Sequence, residues 1–413
     1  MNKNILTYLF AILLVTVSCS SDNSDTVLDP NNSSTTILEI TKKEFVSNYV
    51  AIVDASYNDA LEKTIDLQNV INDFVASPSE VKFNNAKNAW LEAREPYGQT
   101  EGYRFYDGPI DGDGGEPEGY INAWPLDEAL IDYVDSGTGG QQSSDNRQNI
   151  VNNTAEYPTL SKDVLREISG YDENESNVTL GYHAIEFLLW GQDTSVPADK
   201  IAGQRPFTDY TTADNVDRRG LYLKLATEIL VEDLKSVVDQ WKEGGAYRKE
   251  FLALDNNSAI KNILTGIAKL SKGELAGERM TVAVENNNQE DEHSCFSDNT
   301  HRDIYLNAQS INNIIMGKYK KVDGSEISGT SLLDVLKLIN LEESNALETT
   351  ATLVMSKVKI ISDTKFFDYQ IMGETIDNTS KPVMSAVSSL EKQGDELAQA
   401  GKTITNSNID PSV

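Results

Sequence analysis

The sequence predicts an all-α protein made of two tandem helical bundles. Apolar residues recur at helical spacing over long stretches, as in Val50, Val53, Tyr57 and Leu61, and this spacing is typical of a helix with one buried face. Alternation of apolar and polar residues at the period of a strand is nearly absent. The 413 residues supply enough chain for two domains or one large one, with an ample core.

The N-terminus has the features of an exported, lipid-anchored protein. Lys3 precedes an apolar run, residues 5–17, which is too short to span a bilayer as a stable helix. The run ends in Thr-Val-Ser-Cys, which resembles a bacterial lipobox and implies cleavage before Cys19 and lipidation of that residue. We assign residues 1–18 to a lipoprotein signal peptide, with an ordinary secretory signal as the alternative. Residues 19–38 are expected to form a flexible tether.

The first predicted bundle covers residues 39–200. Its first helix is expected to end at Ser77 and Pro78, and its second to kink or end at Pro96, because proline lacks the amide hydrogen that a helix interior needs. A loop rich in glycine and acidic residues follows. Residues 179–190 are predicted to form a helix that ends at Gly191.

The second predicted bundle covers residues 201–413, and residues 192–219 are interpreted as the connector. Apolar stripes predict helices around Leu230, around Ile263, up to Met316 and in the C-terminal quarter of the chain. A short pattern follows a long helix in each half, Ala-Arg-Glu at residues 93–95 and Gly-Glu-Arg at residues 277–279. The pattern indicates an internal duplication, with chance similarity between amphipathic helices as the alternative.

Charge and cysteine content restrict the partners. The net charge of −30 argues against nucleic acid or an anionic lipid surface as a partner. The membrane is therefore expected to be contacted through the lipid anchor only. The two cysteines are Cys19 and Cys295, so lipidation of the first leaves the second without a disulfide partner.

All three histidines lie in two short motifs. His183 belongs to GYHAIE, residues 181–186, and His293 and His301 belong to EHSCFSDNTHRD, residues 292–303. His183 and Glu186 are three residues apart on a predicted helix, so both side chains can reach one ion. A surface pair or a capped polar group is the alternative, but the apolar residues that follow favour a buried pair that needs partners.

The second motif also has a structural interpretation. Thr300 and Asp303 fit a capping box, in which the two side chains close the first turn of a helix. Such a box does not require two histidines.

Four blocks of the chain together resemble the imelysin family. They are WLEAREPYGQTEGYRF at residues 90–105, NAWPLD at residues 122–127, the Gly-x-His-x-x-Glu motif and the second histidine motif. The resemblance implies two tandem helical bundles with a pocket at their interface. It also implies a lipid-anchored protein of the Gram-negative cell envelope, at the outer membrane, that is linked to iron uptake.

The resemblance also implies a set of site residues. His183 and Glu186 are the candidate metal ligands, and the candidates to line the same pocket are Arg94, Glu101, Asp298 and His301. The expected cofactor is a divalent or ferric ion. Carboxylate and imidazole ligands suit iron or zinc and do not distinguish them.

Three functions remain open on the sequence. The favoured one is a protein that binds a metal ion or a metal-bearing ligand in iron uptake, with other envelope proteins as further possible partners. The second is a metal-dependent peptidase, since the family is named for a reported peptidase activity and His293 or His301 could join the His-x-x-Glu pair. The chain lacks both His-Glu-x-x-His and His-x-x-Glu-His, and no catalytic residue is assigned. The third is a surface interaction module with a structural metal site.

The lipobox predicts membrane attachment through Cys19. Wild-type protein is expected to sediment with membranes after export, and Cys19→Ser is expected to release or mislocalise it, because the variant has no thiol to acylate. Cell fractionation with immunodetection measures this. A wild-type protein found entirely in the soluble exported fraction would contradict the lipobox assignment.

Overall fold

The computed structural model describes residues 30–112, 117–135, 149–171 and 174–413. The predicted signal peptide, Cys19 and the first part of the predicted tether lie outside these residues. The first helix, α1, spans Pro30–Ala76, so the last part of the predicted tether is helical. Its polar composition resembles that of a linker, but extending an existing helix costs little because each added residue also gains a backbone hydrogen bond.

Helices account for almost all regular structure in the described residues, which confirms the all-α prediction. After α1 the α-helices are, in chain order, α2 Glu80–Tyr97, α3 Glu118–Ile121, α4 Glu128–Ile131, α5 Lys162–Ile168, α6 Gly181–Trp190, α7 Val216–Trp241, α8 Ala246–Ala253, α9 Asn256–Lys269, α10 Val282–Asn286, α11 Thr300–Met316, α12 Leu332–Ile339, α13 Leu341–Thr364, α14 Phe367–Ile371 and α15 Pro382–Thr405. A π-helical segment, Leu270–Thr281, joins α9 to α10.

Shorter elements connect these helices. The 3-10 helices are Gly98–Tyr103, Pro197–Asp199, Phe207–Tyr210 and Gln289–Asp291. Strands β1, Lys318–Lys320, and β2, Glu326–Ser328, form an antiparallel hairpin in which Tyr319 is opposite Ile327.

Helix ends follow the local sequence signals. Helix α1 ends at Ala76, before Ser77 and Pro78, as predicted. The side chain of Ser79 then caps α2 by accepting a hydrogen bond from the amide of Lys82. Pro96 lies in the last turn of α2, and the chain continues into a 3-10 helix. This is compatible with a proline near a helix end, where few intrahelical bonds are lost.

The core is formed by the apolar faces of these helices. The largest cluster contains the buried side of α1, including Val50, Val53 and Phe74, together with residues of α2, α6, α7 and α9. A second cluster lies between the π-helical segment and helices α11, α13, α14 and α15. Residues 38–413 form one compact unit. A division of this unit into two bundles at residues 200 and 201 stays a prediction, as does the duplication.

The segment interpreted as a connector, residues 192–219, is anchored by buried charges. The guanidinium groups of Arg205 and Arg219 both donate to the carboxylate of Asp132, at 2.8 and 2.6 Å. All three side chains are almost completely buried. Since a buried charge is tolerated only when it is paired, this ion cluster fixes the connector to the segment that follows α4.

Gly181 is predicted to be irreplaceable at the start of α6. Its φ is +83°, and a Cβ at this position would lie 2.6 Å from the carbonyl oxygen of Ile121. Gly181→Ala is therefore expected to lower the free energy of unfolding by about 3 kcal/mol or more, from the left-handed backbone and the overlap together. Denaturation in urea, followed by circular dichroism, measures this.

The matched control is Gly244→Ala. Gly244 has a similar φ of +78° but open space around its Cβ position. Gly244→Ala is therefore expected to lower the free energy of unfolding by only about 1 kcal/mol, the cost of a left-handed backbone at alanine. If both variants lose the same amount of unfolding free energy, the overlap with the Ile121 carbonyl contributes nothing to the cost at Gly181.

Candidate metal centre

Helix α6 places His183 and Glu186 in the interior of the protein. All ten of its residues are buried. The helix ends at Gly191, whose φ is +69° and whose N–H donates to the carbonyl of Phe187, as the sequence predicted. Because no face of α6 reaches solvent, its polar side chains need partners inside the protein.

Both carboxyl oxygens of Glu186 are engaged by protein atoms. Oε2 lies 2.8 Å from Nδ1 of His183. Oε1 accepts hydrogen bonds from the backbone N–H and the hydroxyl of Ser297, at 2.9 and 2.7 Å. Burial raises the pKa of Glu186 to about 8, against the lowering effect of these two hydrogen bonds.

The ring next to His183 belongs to His293. The two ring centroids are 4.6 Å apart and the planes meet at 71°. Trp124 also packs against His293, with the two ring centroids 5.6 Å apart. Burial and the Arg279 guanidinium lower the pKa of His293 to about 3. Burial and Arg94 lower the pKa of His183 well below its ordinary value, so both imidazoles are neutral near pH 7.

The two imidazoles have the same hydrogen-bonding pattern. Nδ1 of His293 is 2.9 Å from Oδ2 of Asp303, as Nδ1 of His183 is bonded to Glu186. The Nε2 atoms of both rings are buried and have no hydrogen-bond partner. A histidine that binds a metal usually has its other ring nitrogen bonded to a carboxylate, a backbone carbonyl or water, which fixes the ring and its tautomer.

Asp303 connects the two motifs of the sequence. Although burial raises its pKa, Arg94 and His293 hold the pKa of Asp303 well below its usual range. The Arg94 guanidinium donates to Oδ1, with Nη2 at 3.1 Å, and the hydroxyl of Ser294 donates to Oδ2. Since Asp303 is ionised, Nδ1 of His293 carries the hydrogen of their bond and Nε2 presents a lone pair.

The capping-box interpretation of Thr300 and Asp303 is wrong. The N-cap of α11 is Asn299. The Thr300 hydroxyl accepts from the backbone N–H of Ser294 at 2.9 Å. The side chains of Thr300 and Asp303 thus hold the loop that carries His293, because the buried groups of that loop need partners.

Arg94 and Glu101 belong to one buried polar network. Arg94 packs against the rings of three aromatic residues, Trp90, Tyr97 and Tyr182. It also donates to Oδ1 of Asn122, whose amide Nδ2 donates to Oε1 of Glu101 at 3.2 Å. The other oxygen of Glu101 accepts from Arg279 at 3.0 Å and from Arg104 at 3.3 Å.

A cavity of about 580 Å³ adjoins this network, and His293 is part of its wall. The residues that line it come from both halves of the sequence and are Arg104, Glu118, Gly119, Tyr120, Asn122, Ala123, Trp124, Ser169, Gly170, Glu175, Val178, Glu274, Arg279 and His293. Glu274 and Arg279 face it together because the π-helical segment brings residues five apart onto one side. Arg279 Nε donates to Glu274 Oε1 at 2.9 Å.

Comparison with known proteins decides the family. The family model for imelysin matches residues 53–397, which is most of the chain. The chain belongs to the imelysin family. A comparison with curated proteins finds no match.

Two solved structures match this imelysin-family chain, the first of them with a similar fold. One is described as an iron-regulated protein A precursor from Parabacteroides distasonis, with a TM-score of 0.65, 19% identity, and coverage of 89% of this chain and 96% of that chain. The other is an imelysin-like protein from Psychrobacter arcticum, with a TM-score of 0.49, 14% identity, and coverage of 89% and 93%. Among the described residues no helix combines the length and hydrophobicity that a membrane span requires.

The imelysin-family residues predicted from the sequence fall into two groups. His183, Glu186, Arg94 and Glu101 join the network around His293 and Asp303. The Nδ1 atom of His301 is bonded to the carbonyl oxygen of Asp298 in its own turn, at 2.8 Å, and the Asp298 carboxylate lies in a cluster with two other aspartates.

Sequence reasoning did not select His293, Asp303, Asn122 and Arg279 as site residues, and it named His293 only for the peptidase alternative. Asp303 and Asn122 stand at the ends of two family blocks, and Arg279 stands in the short repeated pattern, so position within the blocks was the available signal. Cys295 is a free thiol whose pKa is raised by burial.

The Glu101 network predicts a pH dependence of stability. Burial alone would raise the pKa of Glu101, but Arg279 and Arg104 outweigh it and lower the pKa to about 2. The charged form therefore stabilises the fold above the unfolded-state pKa near 4.5, and this contribution is lost as the pH falls toward 2. Glu101→Gln is expected to lower the free energy of unfolding at pH 6 by about 3 kcal/mol, because two largely buried guanidinium groups each lose one of their charged partners.

The difference between wild type and Glu101→Gln should shrink between about pH 4.5 and pH 2, where the wild-type carboxyl gains its proton. Urea denaturation at a series of pH values measures this. The control, Glu95→Gln, removes a half-exposed partner of Arg302 and is expected to cost at most about 1 kcal/mol. If the difference in unfolding free energy between wild type and Glu101→Gln does not change with pH, the lowered pKa of Glu101 is contradicted.

Proposed function

We propose that this imelysin-family protein binds a metal ion, or a small ligand that carries one, through Nε2 of His183 and Nε2 of His293. One observation carries the proposal. Two neutral, buried imidazoles lie 4.6 Å apart, each with Nδ1 on a carboxyl group and each with Nε2 lacking a hydrogen-bond partner. Metal coordination would satisfy both nitrogens, since a neutral imidazole is the form that ligates metals.

The roles of the carboxylates follow from their bonds. The sequence assigned Glu186 as a direct ligand, but its oxygens are engaged by His183 and Ser297. We therefore propose that Glu186 orients His183 and that Asp303 orients His293. A cation at Nε2 would favour the His183 tautomer with hydrogen on Nδ1, which donates to Glu186.

Two nitrogens leave most of a coordination sphere to other donors. In the described part of the chain, the group of His, Cys, Asp and Glu ligand atoms close enough to hold an ion does not include either histidine. The adjoining cavity of about 580 Å³ has room for a small molecule, so water or the donor atoms of a bound ligand would complete the sphere. Imidazole suits iron and zinc.

Iron uptake at the cell envelope is the context that we propose for this binding. Its support is the imelysin family, the relative described as iron-regulated and the lipobox ending at Cys19. Outer-membrane attachment through that cysteine belongs to the same proposal.

The peptidase alternative meets a geometric obstacle. A metallopeptidase needs a general base beside a metal-bound water. The oxygens of Glu186 are engaged by His183 and Ser297, and those of Glu101 by Asn122, Arg279 and Arg104. Neither of these two carboxylates is free to take a proton from such a water. Asp298, the other candidate base, lies in a group with Asp193 and Asp368 that includes neither histidine. Binding without peptide hydrolysis is therefore the function that we propose.

Metal binding is predicted to depend on His183 and His293 and to be independent of His301. His183→Ala and His293→Ala are each expected to abolish binding of Fe²⁺ or Zn²⁺, because each removes one of two nitrogen donors. Glu186→Gln is expected to weaken binding by about 10-fold to 100-fold through loss of orientation. Calorimetric titration and elemental analysis of the purified protein measure this.

The matched control is His301→Ala, since Nδ1 of His301 is already bonded to the Asp298 carbonyl. It is expected to bind metal as wild type does. Thermal unfolding of each variant separates lost binding from lost folding. Unchanged binding in folded His293→Ala would refute the two-histidine centre, and peptide hydrolysis that is lost with chelator, restored with metal and lost in Glu186→Gln would favour the peptidase.

A further inference from the structure

A second group of acidic side chains lies apart from the histidine pair. Asp193, Asp298 and Asp368 each offer a carboxylate oxygen, and these oxygens all lie within 4.8 Å of one another. Asp193 follows the C-terminus of α6, Asp298 precedes α11, and Asp368 lies on α14. Three segments that are far apart in sequence therefore bring three carboxyl groups together inside the protein.

These carboxylates are buried and incompletely partnered. Asp298 is 5% exposed and Asp368 is 2% exposed. Oδ2 of Asp298 and Oδ1 of Asp368 are buried without a hydrogen-bond partner. Asp193 accepts a hydrogen bond from the backbone N–H of Ser195 at 2.9 Å. Buried carboxylates are expected to be paired or to coordinate metals, and a bound cation would give these oxygens the partner that they need.

The basic side chains nearby do not supply it. No lysine or arginine in the described ranges forms an ion pair with any of the three carboxylates. The charge of Lys200 lowers the pKa of Asp368 from longer range, but Lys200 is an exposed residue whose Nζ lies 3.7 Å from the centre of the Tyr369 ring. Glu292, which is completely buried, adds a further acidic group beside Asp298 and Asp368.

We propose that Asp193, Asp298 and Asp368 bind a hard divalent cation, of which calcium is the best match. An all-oxygen, carboxylate-rich ligand set suits Ca²⁺, Mg²⁺ or Mn²⁺ rather than a metal that prefers nitrogen or sulfur. Calcium binds oxygen at 2.3–2.6 Å, so two oxygen ligands of one calcium ion lie at most about 5 Å apart. The three aspartate oxygens meet this condition, since they all lie within 4.8 Å of one another.

A cavity of about 280 Å³ gives the cation a route to Asp368. Asp368 forms part of its wall, together with Pro197, Gln289, Glu290 and Ile371. Calcium takes six to eight oxygen ligands, and water in this cavity can supply those that the three aspartates do not.

The cation would fix the loop that serves the histidine centre. Asp298 directly follows Ser297, which donates both hydrogen bonds to Oε1 of Glu186. The same loop carries His293. A cation at Asp298 therefore joins this loop to α14 and to the segment after α6, independently of whether a metal binds the imidazoles.

Calcium binding is tested on the purified full-length mature protein after removal of ions with EGTA. Calorimetric titration with CaCl₂ is expected to show one ion per chain, and calcium at 100 times its dissociation constant is expected to raise Tm by roughly 3 °C or more. Asp368→Asn is expected to abolish the calcium response. It is also expected to unfold at a higher Tm than wild type in EGTA, because it removes a buried carboxyl group that has an oxygen without a hydrogen-bond partner.

Three further variants make the result decisive. Asp363→Asn changes an exposed aspartate that pairs with Lys359 and should keep the wild-type calcium response. His183→Ala should also keep it, since the imidazole is not part of the aspartate group. If Asp368→Asn does not fold, Asp193→Asn replaces it and should abolish the response.

The proposal is overturned if wild-type protein binds neither Ca²⁺ nor Mg²⁺ at 10 mM, or if Asp368→Asn and Asp193→Asn respond to calcium as wild type does. In the first case the carboxyl groups hold protons in place of a cation. In the second case the calcium site lies elsewhere. Loss of the calcium response in His183→Ala would also overturn it, by assigning calcium to the histidine centre.

Discussion

The buried ion pair between Arg94 and Asp303 is the interaction on which the rest of the candidate centre depends. It joins α2 to α11, two helices separated by more than 200 positions in the chain, and both side chains are 1% exposed. Because neither charge has access to water, the pair is stable only with its remaining hydrogen bonds satisfied, and these are made by His293, Ser294 and Asn122. Each of those bonds in turn fixes a group of the histidine centre or of the cavity wall.

The need to pair every buried charge also explains why acidic and basic side chains alternate through this centre. Asp303 is paired with Arg94, Asn122 bridges Arg94 to Glu101, and Glu101 is paired with Arg279 and Arg104. Every ionised member has an opposite charge within hydrogen-bond distance, so the network tolerates burial. The imidazoles are its neutral members, since burial and the neighbouring guanidinium groups lower their pKa values. The Nε2 atoms of the two imidazoles form no hydrogen bond within this network, so they are the atoms that could bind a metal.

Much of the fold could be predicted from the sequence, because helical period and capping residues are local signals. The end of α1 at Ala76 and of α6 before Gly191 are examples. The partners of the histidines could not be predicted in this way. The three-residue spacing puts His183 and Glu186 on one face of α6, where they are hydrogen-bonded to each other, but the choice between His293 and His301 depends on how the loop before α11 folds. That loop is fixed by Asp303 and Thr300, whose spacing equally fits a capping box.

The loop at residues 292–299 carries two kinds of polar group that have no hydrogen-bond partner, Nε2 of His293 and Oδ2 of Asp298. On one side, His293 presents a neutral nitrogen that suits a metal with affinity for imidazole. On the other, Asp298 faces two further carboxylates, an oxygen set that suits a hard cation. The Ser297 hydrogen bonds to Glu186 lie between them and connect the two. Since the positions of His293, Ser297 and Asp298 are coupled through a few residues of backbone, ordering of this loop at the carboxylates would also order the ring of His293 against His183.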